Sequence, residues 1–259
     1  MKEKTVAELM NLGDKTAVVT GGGGHLGLEM SRALLEAGAN VYVVGQTEEK
    51  TEPLKSLYKS KIKFLIINLN DEKEVESLNE KLPKTIDILI NNFYSWPKNP
   101  HLEKMVWNDV RDTLVSGILS PLYLSKIAFE KMQNGGSIIN IASMYGIVSP
   151  NFQIYRDSGM GNAAEYGATK AALIQITKYL AVKGAPKNIR VNAISPGPFS
   201  KPGSFDGKEW FKQELINKMP LNRIGENWEL KGTVVFLASN LSTYVTGQNI
   251  SVDGGWTIW

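Results

Sequence analysis

The sequence predicts a doubly wound parallel α/β sheet of about seven strands with helices on both faces, and three observations predict it. Short β-branched runs alternate strictly with amphipathic stretches. The runs are nearly continuous in apolar residues, as strands covered on both faces require. The first run passes straight into a glycine-rich turn and then a helical pattern, the arrangement of a βαβ unit.

The strand candidates are residues 16–20, 40–44, 63–67, 86–90, 137–141, 189–194 and 249–252. Helical patterns lie between them. Leu28 to Ala37 follows the glycine turn. Asp71 and Glu74 have the spacing of a capping box, with Val75, Leu78 and Leu82 then on one face. Residues 110–132 and 164–183 read as two longer helices with apolar residues on more than one face, which predicts a homo-oligomer, a tetramer or a dimer. No linker interrupts the pattern, so residues 1–259 read as one domain.

Composition narrows the function classes. Net charge is only +3 and the basic residues are scattered, which argues against a nucleic-acid partner. Cysteine is absent and histidine is limited to His25 and His101, which excludes disulfides and thiolate zinc sites and predicts no metal centre. Met1 to Leu12 is charged and lacks the apolar core of a signal peptide, and no apolar run reaches the ~20 residues of a membrane span. A cytoplasmic protein with no membrane partner is the expectation.

The turn after the first strand reads Thr20-Gly21-Gly22-Gly23-Gly24-His25-Leu26-Gly27. Glycines there let backbone N–H groups approach a pyrophosphate, and the helix N-terminus adds a favourable dipole. A merely tight turn is the plainer reading, but its place after the first strand favours a dinucleotide site. The second strand ends in Val44-Gly45-Gln46-Thr47, with no acid to repel a ribose 2′-phosphate and no arginine to accept one. Gln46 and Thr47 are donors for either ribose, so the cofactor is NADP or NAD, with NADP favoured.

Tyr166 and Lys170 lie four apart at the start of a predicted helix and therefore share a face. A free phenol with a pKa near ~10 is a poor acid–base catalyst at neutral pH. A cation ~4 Å away, at an effective dielectric of ~20, contributes about 4 kcal/mol toward the phenolate, or roughly 3 pH units. Ser143 closes the fifth strand, where its hydroxyl can hold a carbonyl or alcohol oxygen while the tyrosine moves the proton.

With these motifs in this order, the chain resembles the short-chain dehydrogenase/reductase family from about residue 12 to residue 256. The glycine loop resembles the family's TGxxxGxG, with His25 in place of the middle glycine. Asn91-Asn92 falls where the family has NNAG, but Phe93-Tyr94 replaces Ala-Gly. Residues 192–198, Arg223-Ile224-Gly225, Thr246-Gly247 and Val252-Asp253-Gly254-Gly255 match further family segments. The resemblance implies a Rossmann fold and a catalytic Ser143, Tyr166 and Lys170, with Lys170 also on the nicotinamide ribose. It implies cofactor contacts from Gly21, Gly24, His25, Leu26, Gln46, Asn68, Leu69, Asn91, Tyr166, Lys170, Pro196, Gly197 and Phe199. The family's catalytic asparagine aligns with Gly117, with Ser116 as the alternative, and Lys201 stands at a threonine position.

Ser143 and Tyr166 are 23 positions apart, where the family usually has about a dozen. The extra segment, residues 145–165, is rich in polar groups, including Asn151, Gln153, Tyr155, Arg156 and Asp157. Anchored beside Ser143, it is expected to form a polar wall of the substrate site, with Arg156 available for a substrate anion. Residues 199–219, with Trp210 and Phe211, form either an opposing lid or core-packing helix. The expected activity is alcohol/carbonyl oxidoreduction on a small-molecule substrate, a polyol, sugar or sugar derivative. The rival is a dinucleotide-binding regulatory or scaffold protein with a degenerate site, resting on His25, Phe93-Tyr94, Gly117 and Lys201.

Overall fold

The computed structural model describes residues 3–259; Met1 and Lys2 of the charged N-terminal stretch lie outside the described residues. Seven strands, β1 (Thr16–Thr20), β2 (Asn40–Gly45), β3 (Ile62–Ile66), β4 (Ile88–Asn91), β5 (Gly136–Ile141), β6 (Ile189–Pro196) and β7 (Asn249–Val252), form one sheet in the order β3-β2-β1-β4-β5-β6-β7. Every pairing is parallel. Nine α-helices lie among the described residues: α1 (Val6–Met10), α2 (His25–Glu36), α3 (Glu52–Tyr58), α4 (Glu72–Lys81), α5 (Trp107–Leu114), α6 (Ser120–Lys131), α7 (Ala164–Gly184), α8 (Glu209–Asn217) and α9 (Leu230–Ala238). None is long and apolar enough to cross a membrane.

The period-two alternation of the strands divides the core. Ala17, Val19, Ile88, Ile90, Ile139 and Ile141 face one layer with Met30 and Leu34 of α2 and Leu230, Val234 and Leu237 of α9. Val18, Leu89 and Ile138 face the other, with Val75 and Leu78 of α4, Leu124 and Ile127 of α6 and Leu180 of α7. Each such fully buried side chain contributes about 1.5–3 kcal/mol, and the apolar runs are the sequence trace of this two-sided burial.

Two local expectations need correction. Asp71 caps α4 by accepting from the Glu74 N–H at 3.0 Å, but Glu74 Oε2 turns back to the Asn68 N–H at 2.7 Å instead of closing a capping box. The helix expected over 110–132 is interrupted by a wide π-type turn at Val115–Leu119, between α5 and α6. There Ser116 Oγ accepts from the Ser95 N–H at 3.0 Å, and a Cβ on Gly117 would lie 2.7 Å from Thr169 Cβ. Contacts from distant segments therefore shape the turn.

The strand order reverses between β1 and β4, and the carboxyl ends of a doubly wound sheet open a crevice at such a switch point. Asn92, just past β4, spans it. Its Nδ2 donates to the carbonyls of Thr20 and Gly21 at 3.0 and 3.1 Å, while Thr20 Oγ1 accepts from the N–H groups of Asn92 and Phe93.

Candidate active site

A cavity of about 480 Å³ runs along this crevice from the glycine turn to the segment after β6. Of the residues singled out from sequence, it is lined by Gly21, Gly24, His25, Leu26, Gln46, Ser143, Tyr166, Lys170, Pro196, Gly197, Phe199 and Lys201. Asn68, Leu69 and Asn91 do not line it. Asn68 Oδ1 accepts from Gln46 Nε2 at 3.0 Å at an exposed position. Leu69 is fully buried with its carbonyl taken by Ser120. Asn91 is buried against Asn140, donating to its Oδ1 at 2.8 Å.

The glycine turn is tight because the chain requires it. Gly21 sits at φ 62°, and a Cβ on Gly27 would lie 2.1 Å from the Gly21 carbonyl oxygen. Gly24 caps α2, whose first N–H groups have no partner within the helix. His25 opens that helix with its ring turned to the opposite wall. Nε2 lies 3.2 Å from the Phe199 carbonyl and Nδ1 3.2 Å from Asn227 Nδ2, a pattern one neutral tautomer satisfies. Burial, together with nearby Lys201, lowers its pKa, partly opposed by the Phe199 carbonyl.

At the far end, α7 carries Tyr166 and Lys170 one turn apart, and β5 delivers Ser143. Burial drives the Tyr166 pKa up, and hydrogen bonding to Ser143 opposes the rise. Ser143 Oγ also accepts from the Tyr145 N–H at 3.1 Å. Lys170 Nζ donates to the Ile141 carbonyl at 2.7 Å, and burial lowers its pKa from 10.5 to about 7. Burial thus acts on the phenol in the opposite direction to the lowering expected from an adjacent ammonium. Lys170 is buried and Tyr166 half-buried, and desolvation favours the neutral form of each. A protonated phenol beside a serine hydroxyl can hand a proton to a carbonyl oxygen, and the reverse transfer serves an alcohol.

Several residues of the site were not among the catalytic and cofactor contacts expected from sequence. The Tyr94 ring centroid lies 4.5 Å from Lys170 Nζ, and its hydroxyl is 3.1 Å from Thr169 Oγ1. Trp96 stacks on the Tyr166 ring at 5.0 Å and 16°. Tyr145 and Asn162 are the insertion's contribution to the cavity wall. The Phe93-Tyr94 departure was visible in the sequence, but its packing against Lys170 depends on Thr169 and Gly117, which are distant in the chain.

The insertion's other polar groups point elsewhere. Asn151 Oδ1 accepts from the Gln153 N–H, and Arg156 pairs with Glu214 of α8 at 2.5 Å while its guanidinium lies 4.9 Å from the Trp210 ring centroid. Tyr155 is buried and stacks on Phe211 at 5.5 Å. Ile154 and Tyr155 join Met144, Leu215, Met219 and Trp256 in a third apolar cluster. Arg156 is thus committed within the protein, and Trp210 and Phe211 pack against the insertion and do not line the cavity.

A family model described as enoyl-(acyl carrier protein) reductase matches residues 24–257. The chain belongs to the short-chain dehydrogenase/reductase family. It is 32% identical over 249 residues to the 3-oxoacyl-[acyl-carrier-protein] reductase of Rickettsia felis, covering 95% of this chain and 98% of that one. A gluconate 5-dehydrogenase from Burkholderia cenocepacia, solved with NADP and tartrate, superimposes with a TM-score of 0.86 at 26% identity over 98% of this chain and 100% of that one. A short-chain dehydrogenase from Leptospira borgpetersenii with bound NAD+ gives 0.85 at 32% identity, over 99% and 97%.

This member of the short-chain dehydrogenase/reductase family is an NAD(P)-dependent oxidoreductase. Its cavity suits an anionic dinucleotide. No acidic side chain lines it among the described residues, and Gly24 and the first residues of α2 form part of its wall. The glycine turn would hold the pyrophosphate, Gln46 and Thr47 the adenosine ribose, and Lys170 the nicotinamide ribose. When bound, the nicotinamide supplies or accepts the hydride.

Proposed function

We propose that this enzyme interconverts an alcohol and a ketone on a polyol, sugar or sugar derivative, with Tyr166 moving the proton, Ser143 orienting the oxygen and Lys170 holding the cofactor ribose beside them. The observation that carries the chemistry is the convergence of these three side chains in one cavity with the glycine turn. The hydroxylated substrate is supported by Tyr145 and Asn162 in the cavity wall and by the likeness to a gluconate 5-dehydrogenase. Phe93, Tyr94 and Trp96 favour a competing reading, a ketone with an extended apolar face.

The experiment is NADPH oxidation with a carbonyl panel of ketoses, keto acids and hydrophobic ketones, comparing wild type with Tyr166→Phe. The expected result is preference for the hydroxylated ketones, with turnover lost and NADPH affinity kept in the variant. Equal turnover in Tyr166→Phe contradicts the catalytic assignment, and preference for hydrophobic ketones contradicts the substrate class.

NADP is the favoured cofactor in this reading, because the ribose end of the cavity offers Gln46 and Thr47 and no carboxylate. The enzyme works as a single-domain subunit of a cytoplasmic homo-oligomer. Exposed Leu119 before α6, and Tyr179 and Val182 on α7, support a subunit contact along these helices.

A further inference from the structure

A protonated Lys170 amine has three N–H groups. Among the described residues one acceptor meets them, the Ile141 carbonyl at 2.7 Å. The amine also faces a ring: the Tyr94 centroid lies 4.5 Å from Nζ, within the range over which an aromatic face attracts a cation. The Tyr166 ring is further off, at 5.9 Å.

The position of Tyr94 is held on both sides. Before it, the N–H groups of Asn92 and Phe93 donate to Thr20 Oγ1, and after it the Ser95 N–H donates to Ser116 Oγ. Its hydroxyl lies 3.1 Å from Thr169 Oγ1. Thr169 directs its own proton to the Tyr166 carbonyl at 2.9 Å, so Tyr94 is the donor of the pair. The ring is thus pinned to α7, the helix that carries Lys170 and Tyr166. Burial raises the Tyr94 pKa, so the ring meets the amine as a neutral phenol. Burial lowers the Lys170 pKa to about 7, and the negative face of the ring opposes that fall. Tyr94 and Tyr166 are the titratable groups facing Lys170, and His25, Tyr145 and Lys201 are the others in the cavity wall.

We propose that Tyr94 is a positioning residue: its ring face holds the Lys170 amine as an ammonium against the Ile141 carbonyl, with an N–H left for the cofactor ribose. This inference rests on the reading of Lys170 as the group that holds that ribose, and assigns the state of the amine to a side chain from another segment. A hydrogen bond from a charged amine is roughly twice as strong as a neutral one, so cofactor affinity falls as the ammonium is lost.

The test measures the Kd for NADP+ by isothermal titration from pH 6.5 to 9.5, in a Tyr166→Phe background so that Tyr166 does not titrate. Burial moves His25 down and Tyr145 up, away from this window. The chains compared carry Tyr94, Tyr94→Phe, Tyr94→Leu, or trifluorophenylalanine at position 94, which keeps the ring's size and removes the negative potential of its face. Affinity is expected to fall with rising pH around a midpoint that Tyr94→Phe keeps. In Tyr94→Leu and with trifluorophenylalanine the midpoint is expected to drop by about half a pH unit or more, and Kd at pH 8 to rise about threefold. If Tyr94→Leu does not fold, the fluorinated ring, close in shape to phenylalanine, decides alone. Equal midpoints with phenylalanine and trifluorophenylalanine overturn the role of Tyr94 while leaving the ribose reading of Lys170 intact. So does a loss of affinity that is the same at every pH. The pH dependence is expected to vanish in Lys170→Met. A dependence that survives there, or an affinity that does not vary with pH when Tyr94 is present, overturns the ribose reading and this inference with it.

Discussion

Lys170→Met is expected to stabilise the cofactor-free protein at acid pH while abolishing activity. Lys170 is 5% exposed, and burial brings its pKa from 10.5 down to about 7. Below pH 7 the amine is protonated both in the folded protein and in the unfolded chain, so the full desolvation penalty weighs on folding. That penalty is about 5 kcal/mol at roughly 1.36 kcal/mol per pH unit. From pH 7 to 10.5 the unfolded chain holds the extra proton, so wild-type stability climbs and the penalty disappears above that window. Methionine keeps the apolar stem but leaves the Ile141 carbonyl without its 2.7 Å donor, which costs about 1–3 kcal/mol at every pH. The net gain is about 2–4 kcal/mol at pH 6, and it reverses to a small loss near pH 10. At about 2–4 °C per kcal/mol for a chain of this size, Tm rises by about 4–16 °C at pH 6. Thermal denaturation followed by circular dichroism at pH 6, 8 and 9.5, at fixed protein concentration, reads both the sign and the slope. A variant no more stable than wild type at pH 6, or a gain that does not shrink as pH rises, refutes the reasoning.

Gly117→Ala is expected to destabilise by about 1–3 kcal/mol in urea unfolding, because the new Cβ would lie 2.7 Å from Thr169 Cβ and neither helix can yield freely. NADPH is expected to bind a few-fold more tightly than NADH in isothermal titration. Gln46→Asp is expected to reverse that order by placing a carboxylate against the 2′-phosphate; tenfold preference for NADH in wild type contradicts the assignment. Sedimentation at micromolar concentration is expected to show a tetramer or dimer, and a monomer contradicts the reading of α7.

The strands were legible because parallel strands buried on both faces read as apolar runs; residues 16–20 and 249–252 coincide with β1 and β7, and the others agree within two residues. The glycine turn, Ser143, Tyr166 and Lys170 were legible because each stands at a fixed point of the βαβ pattern. Contacts that close over distance were not. The break at Val115–Leu119 depends on Ser95 and Thr169. The Tyr166–Lys170 electrostatics depend on how far each group is withdrawn from solvent, which spacing along a helix does not report. Burial raises the pKa of the Tyr166 phenol and lowers that of the Lys170 amine.

The insertion makes the same point about composition. Its abundance of polar residues suggested a polar wall, yet its middle builds a small core of its own. Ile154 and Tyr155 pack with Leu215 and Met219 at the end of α8 and with Trp256 near the C-terminus, and Arg156 binds Glu214 on the outside. Arg156 holds φ 49° and ψ −148°, a backbone region that disfavours side chains, so packing around it sustains a conformation of about 1–3 kcal/mol strain. Three segments far apart in sequence thus meet in one cluster behind the substrate end of the cavity, and what reaches the cavity is only Tyr145 and Asn162. The cofactor end is framed by a different set: the glycine turn, Asn92 and His25. Because the third cluster holds Met144 and Tyr145 beside Ser143 while Asn92 holds the glycine turn, substitutions in the cluster are expected to raise substrate KM in steady-state kinetics and those around Asn92 to weaken NADPH binding in titration.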